Sequence, residues 1–160
     1  EGNTRILTLD PVEIEFCDLT LKLQTRISFE EGTGTIRIAR EILKMSNPDA
    51  EVEINEYMVA CYGTTEYPED MNGIILRCEG KEPQEIIYEY KCREKSVPDA
   101  DAVSAVIPAI ETKVSMEASE GAEGYIREGY AFSPMFTLGY KKKVSDKEVF
   151  ETWLKLEKAD

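Results

Sequence analysis

Apolar and polar residues alternate with a period of two along most of this chain, the pattern of extended strands with one buried face. Val12, Ile14 and Phe16 share one side while Glu13 and Glu15 take the other, and Leu19, Leu21, Leu23, Ile27 and Phe29 continue on odd numbers. The parity changes at Cys17–Asp18, and a strand whose inward face switches needs a bulge, a bend or a break. A second switch is expected at Asn55–Glu56, between the even pair Val52 and Ile54 and the odd set Tyr57, Val59 and Cys61. Strands that bend in this way would wrap a curved or two-layered core.

Further strands are predicted over 74–78, 85–92, 109–118 and 125–140, the last demoted to an edge or bulged strand by Pro134. Glu79–Gln84 reads as a hairpin turn, and Glu120–Gly124 joins the next pair in the same way. Two segments carry helical signals. In 36–45, Ile38, Ile42 and Met45 share a helical face ahead of Ser46-Asn47-Pro48, although Ile36 and Ile38 also suit a strand. Ser145-Asp146-Lys147-Glu148 has the spacing of a capping box before a stripe of Val149, Trp153 and Leu156, yet Phe150, Thr152, Leu154 and Leu156 alternate. The expected fold is therefore mainly β: an antiparallel two-layer β-sandwich of roughly six to eight strands with one or two short helices, in a single β-rich domain over 1–160.

At 160 residues a chain of this kind can bury about 70% of its unfolded surface and needs no covalent staple. It contains no histidine, which excludes Ser-His-Asp and Cys-His mechanisms within the chain and any histidine-ligated zinc. Cys17, Cys61, Cys78 and Cys92 include no C-x-x-C pair, and two disulfides or four buried thiols fit equally well. No apolar run approaches the roughly 18 residues of a membrane span. The first residue is Glu1 and no signal pattern is visible, consistent with a processed chain or a piece of a longer one, so secreted and intracellular locations both stay open.

Charge supplies the lead on a partner. The net charge is −13, and residues 45–126 hold eighteen acidic against six basic residues, a net −12. Between Lys44 and Arg77 stand seven carboxylates and no cation. The polar stretch 62–73 combines Tyr62, Glu66, Tyr67, Glu69 and Asp70, broad aromatic contact area beside charges that attract Lys and Arg; a solvated loop held by Tyr and Pro packing is the plainer alternative. Asp49 extends the candidate face, and Asp99 with Asp101 forms a possible second contact or, less simply, oxygen ligands for calcium. The aromatic and thioether set Tyr88, Tyr90, Tyr125, Tyr130, Phe132, Met135, Phe136 and Tyr140 reads as core before it reads as a pocket for an apolar ligand. Lys141-Lys142-Lys143 is too short a basic run to hold nucleic acid against so negative a chain.

No catalytic residue, metal ligand or cofactor is assigned from these patterns, because thirty-two acids offer many carboxylate pairs and single out none. Residues 55–63 with the final strand-like stretch resemble the immunoglobulin-like sandwich of Rho dissociation inhibitors over under a fifth of the chain, and no residue role is carried across. The functional expectation is a non-enzymatic module that recognises a basic protein or peptide through an acidic, tyrosine-bearing face. A structural subunit of a larger assembly and a carrier of an apolar ligand are the alternatives.

Overall fold

Alternation is realised as thirteen strands among the residues that the computed structural model describes, which are 3–61, 75–80, 84–86, 94–98, 100–107, 110–128 and 135–159. In chain order they are β1 (Thr4–Thr8), β2 (Val12–Phe16), β3 (Leu19–Glu30), β4 (Thr35–Met45), β5 (Val52–Cys61), β6 (Ile75–Gly80) and β7 (Gln84–Ile86). Next come β8 (Glu94–Val97), β9 (Ala100–Ile107), β10 (Thr112–Ala118), β11 (Glu123–Glu128), β12 (Met135–Val144) and β13 (Val149–Lys158). Every pairing is antiparallel. Nine strands form a large sheet in the order β1-β3-β4-β13-β10-β9-β6-β7, with β2 also on β3, and four form a small sheet in the order β5-β12-β11-β8.

The two sheets bury their apolar faces against each other. Ile42, Phe150, Val103, Ala105 and Met116 from the large sheet meet Phe136, Leu138, Tyr140, Val144 and Ile126 from the small one in a single cluster. Fully buried side chains of this size contribute about 1.5–3 kcal/mol each by leaving water, so this interface is the main source of stability. On the opposite, outer face of the large sheet the same alternation places ion pairs: Arg26 with Glu41 at 2.6 Å, Arg37 with Glu151, and Lys155 with Glu157 at 2.7 Å.

Breaks in the pattern have identifiable causes. The parity change at Cys17–Asp18 is a two-residue turn joining β2 to β3, with Phe16 opposite Leu19 and Cys17 in left-handed backbone at φ 53°. Leu9-Asp10-Pro11 splits the sheet's edge into β1 and β2, both on β3; proline there has no N–H for a ladder. Gly34 closes the β3–β4 turn at φ +68°, and a Cβ there would stand 2.5 Å from the Leu156 carbonyl oxygen, so only glycine fits.

Neither expected helix forms: among the described residues there is no α-helix. Residues 36–45 lie inside β4, where Ile36, Ile38 and Arg40 keep one face and a register shift opposite Lys22/Leu23 lets Ile42 and Met45 stay on it. The helix-like spacing of Ile38, Ile42 and Met45 is that of a bulged strand. The C-terminal segment is β13, and the apparent capping box is its hairpin turn: Ser145 N–H donates to Glu148 Oε2 at 3.0 Å, Glu148 N–H donates to the Ser145 carbonyl at 3.2 Å, and Lys147 sits at φ 62°. Asp146 accepts from the Met45 N–H at 2.6 Å and ties this turn to the end of β4. β6 and β7, on either side of the expected Glu79–Gln84 turn, pair antiparallel; residues 81–83 of that turn lie outside the described residues. Residues 119–122, by contrast, carry the chain from β10 in the large sheet to β11 in the small one, so that link is a crossing rather than a hairpin.

The turn also titrates. The Ser145 backbone hydrogen bond holds the Glu148 carboxyl below its ordinary value of 4.5, overcoming the opposing effect of burial, and Lys142 at 3.2 Å adds to it. A lowered folded-state value stabilises the fold above the ordinary value and loses that contribution as pH falls through the lowered one. Glu148→Gln is therefore expected to lower the urea midpoint slightly at neutral pH, and the gap from the native chain should close on acidification below 4.5. A gap that stays constant down to acid would show that the carboxylate charge is not what holds the turn.

Candidate functional site

Among the described residues, a charged pair joins a strand of each sheet, Arg40 of β4 and Glu56 of β5. Arg40 lies on the inner face of β4, between Thr25 of β3 and Phe150 of β13 in the ladder. Glu56 lies on the inner face of β5, whose even residues Val52, Ile54, Glu56 and Met58 are half-buried while the odd residues face solvent. The guanidinium meets the carboxylate two-handed, Nε to Oε2 at 2.7 Å and Nη2 to Oε1 at 3.2 Å, and Arg40 Nη1 donates to the Thr25 hydroxyl at 2.7 Å. Planar bidentate geometry of this kind is strong and directional. The side chains keep 29% (Arg40) and 13% (Glu56) of their exposure, so water still reaches them. Across β12, Tyr140 stands opposite Glu56, and its buried hydroxyl donates to the Ala100 carbonyl at 3.3 Å. A cation, a carboxylate and a hydroxyl thus meet between the sheets, with the Tyr140 ring beside the carboxylate in the ladder.

The expected parity switch at Asn55–Glu56 does not occur. β5 keeps one parity throughout, with Glu56 inward and Tyr57 outward. Placing Tyr57 and Val59 inward because they are apolar hides Glu56 from the candidate residues.

A second feature is a groove of about 730 Å³ where the β2–β3 turn faces the connection into β5. Ile14, Phe16, Leu19, Leu21 and Val52 give it an apolar floor, and Asp18, Glu51 and Glu53 stand on its rim.

Of the residues proposed from sequence, Tyr62, Glu66, Tyr67, Glu69, Asp70 and Asp99 lie outside the described residues, as do Tyr88, Tyr90, Tyr130 and Phe132. Asp49 is exposed in the β4–β5 turn and Asp101 is exposed on β9, three strands from β4 in the sheet order. Phe136 and Tyr140 fill the core as expected. Lys141, Lys142 and Lys143 lie on a central strand, where Lys141 is 3.6 Å from Glu123. Among the described residues no helix is long and apolar enough to cross a membrane, and no three metal-ligating side chains gather at one point. Cys17 is a free, exposed thiol.

No family model matches the chain, and no curated protein matches it in sequence. Its fold does match solved structures. A "putative aldose 1-epimerase" from Escherichia coli K12 superposes with a TM-score of 0.67 at 11% identity, over 97% of this chain and 65% of that one. A "putative mutarotase (YeaD)" from Salmonella typhimurium gives 0.60 at 9% identity, over 98% and 61%, and the Slr1438 protein from Synechocystis sp. PCC 6803 gives 0.63 at 10%, over 98% and 62%. The chain spans under two thirds of the length of each. These likenesses establish the fold and correct the expectation of a non-enzymatic protein: the architecture is shared with proteins whose names are those of enzymes, a "putative aldose 1-epimerase" and a "putative mutarotase". Missing histidine is no bar to catalysis, because a carboxylate, a phenol or water can also move a proton.

Proposed function

We propose that this chain handles an aldose ring at the inner face of its large sheet, with Arg40 and Glu56 as the polar groups that meet the sugar. The observation that supports this reading is the bidentate pair reaching between the sheets, in a fold shared with the epimerase- and mutarotase-named structures. Exchange of anomers needs a proton taken from the C1 hydroxyl while the bond from C1 to the ring oxygen breaks, and a proton delivered to that oxygen. The open aldehyde then recloses on either face. In this reading the Glu56 carboxylate takes and returns the first proton, the Arg40 guanidinium steadies the negative charge that develops on the ring oxygen, and water supplies the second proton. Thr25 fixes the guanidinium from the far side.

The test is anomer exchange of glucose and galactose, followed by NMR exchange spectroscopy with and without the protein. Exchange above the buffer rate is expected for the native chain and should fall to the buffer rate in Glu56→Gln. A native chain that neither speeds exchange nor binds either sugar would sink the reading.

A further inference from the structure

We propose that the groove beside β2 takes an extended basic strand of another polypeptide, which adds to the free edge of β2. Among the described residues β2 pairs only with β3, so its other edge presents a row of backbone donors and acceptors. Native proteins guard such an edge with lysine, proline or a covering segment. Here the inward side chains of β2 are apolar and open, with Val12 53% and Phe16 67% exposed, and they continue into the floor of the groove.

Charge names the occupant. Glu13 and Glu15 point to the outer face of β2 and are exposed, with Lys22 of β3 opposite Glu13 on its inner side and nothing basic opposite Glu15, while Asp18, Glu51 and Glu53 rim the groove, and none of the described residues lining it is basic. A strand laid along β2 would therefore meet carboxylates with one set of alternate side chains and an apolar floor with the other. The complement is a segment alternating Lys or Arg with Val, Ile or Leu, recognised by main-chain hydrogen bonds and by side chains in turn. A second copy of β2 would place Glu13 and Glu15 against the same residues of its twin, and like charges directly opposite are destabilising. Self-pairing is disfavoured on that ground.

The probe is a fluorescein-labelled peptide of about eight residues alternating Lys and Val, titrated in fluorescence anisotropy. Binding is expected, weakening as salt rises, with an affinity loss of about tenfold or more for Glu13→Lys with Glu15→Lys, and likewise for Phe16→Ser. All three positions are exposed, and circular dichroism checks that the variants stay folded. Two control peptides separate recognition from plain charge: Lys alternating with Gly, and Glu alternating with Val, should both bind much more weakly. Bound Lys-Val peptide should also slow maleimide labelling of Cys17, read by mass spectrometry of its tryptic peptide, because Cys17 directly follows β2 and lines the groove. Absent binding, equal binding of the Lys-Gly peptide, or unchanged binding by the charge-reversed variant would each overturn the proposal.

Discussion

Gly139→Val is expected to destabilise the protein by about 3 kcal/mol, and most of that loss should vanish when Tyr125 is first shortened to Ala. Gly139 is on β12 directly opposite Tyr125 of β11, on the face of the small sheet turned away from the sandwich interior. The tyrosine ring lies across the glycine and its hydroxyl donates to Asn55 Oδ1 of β5 at 2.7 Å, so one side chain spans three strands. A Cβ on residue 139 would stand 2.5 Å from the Tyr125 hydroxyl and 2.7 Å from its Cε1, closer than such atoms approach. Any side chain there must push the ring off, break the bond to Asn55 and expose an aromatic now only 2% accessible. With Tyr125→Ala in place the space is open, and valine is a good strand residue, so Gly139→Val should become nearly neutral. Urea unfolding of the four chains gives the coupling energy. Equal costs in both backgrounds would mean that the ring is not what requires glycine.

Period-two patterning makes the antiparallel sandwich readable because burial on one face of a strand leaves the same mark wherever it occurs. Distinguishing strand from helix fails at 36–45 for a local reason: a bulge shifts the inward set by one residue, and Ile38, Ile42 and Met45 then fall at helical spacings. At 145–148 a Ser and a Glu three residues apart satisfy each other's backbone donor in a turn as readily as at a helix start, so the motif marks a chain reversal and leaves open whether a helix or a strand comes after it. Glu56 is the costlier miss. Strict alternation from Val52 and Ile54 through to Met58 puts it inside, but a carboxylate inside is credible only with a cation to meet it, and Arg40 stands on a different sheet. Nothing in the spacing of residues 40 and 56 announces that they meet. The acidic segment 62–70 is conspicuous because net charge is a sum over sequence, whereas a site is a matter of which side chains share a face.

Arg40→Met is expected to cost about 2–3 kcal/mol, nearly all of it the penalty of leaving Glu56 without its cation. Removing one partner of a buried ion pair typically costs 3–5 kcal/mol, and the 29% exposure of the Arg40 side chain lets water offset part of that. Thr25, 6% exposed, would also lose its guanidinium donor. Changing both partners, Arg40→Met with Glu56→Leu, should recover most of the loss, because two apolar side chains there would pack against Phe150 and Met58 with no charge to desolvate. If the pair serves the fold alone, the double variant would be as competent as the native chain in every assay. If it serves a sugar ring, the double variant regains its urea midpoint and still exchanges no anomers, and that split between stability and turnover separates the two roles. A double variant that remains as unstable as Arg40→Met would show instead that the interior requires the ionic link itself, and the pair would then be read as structural first.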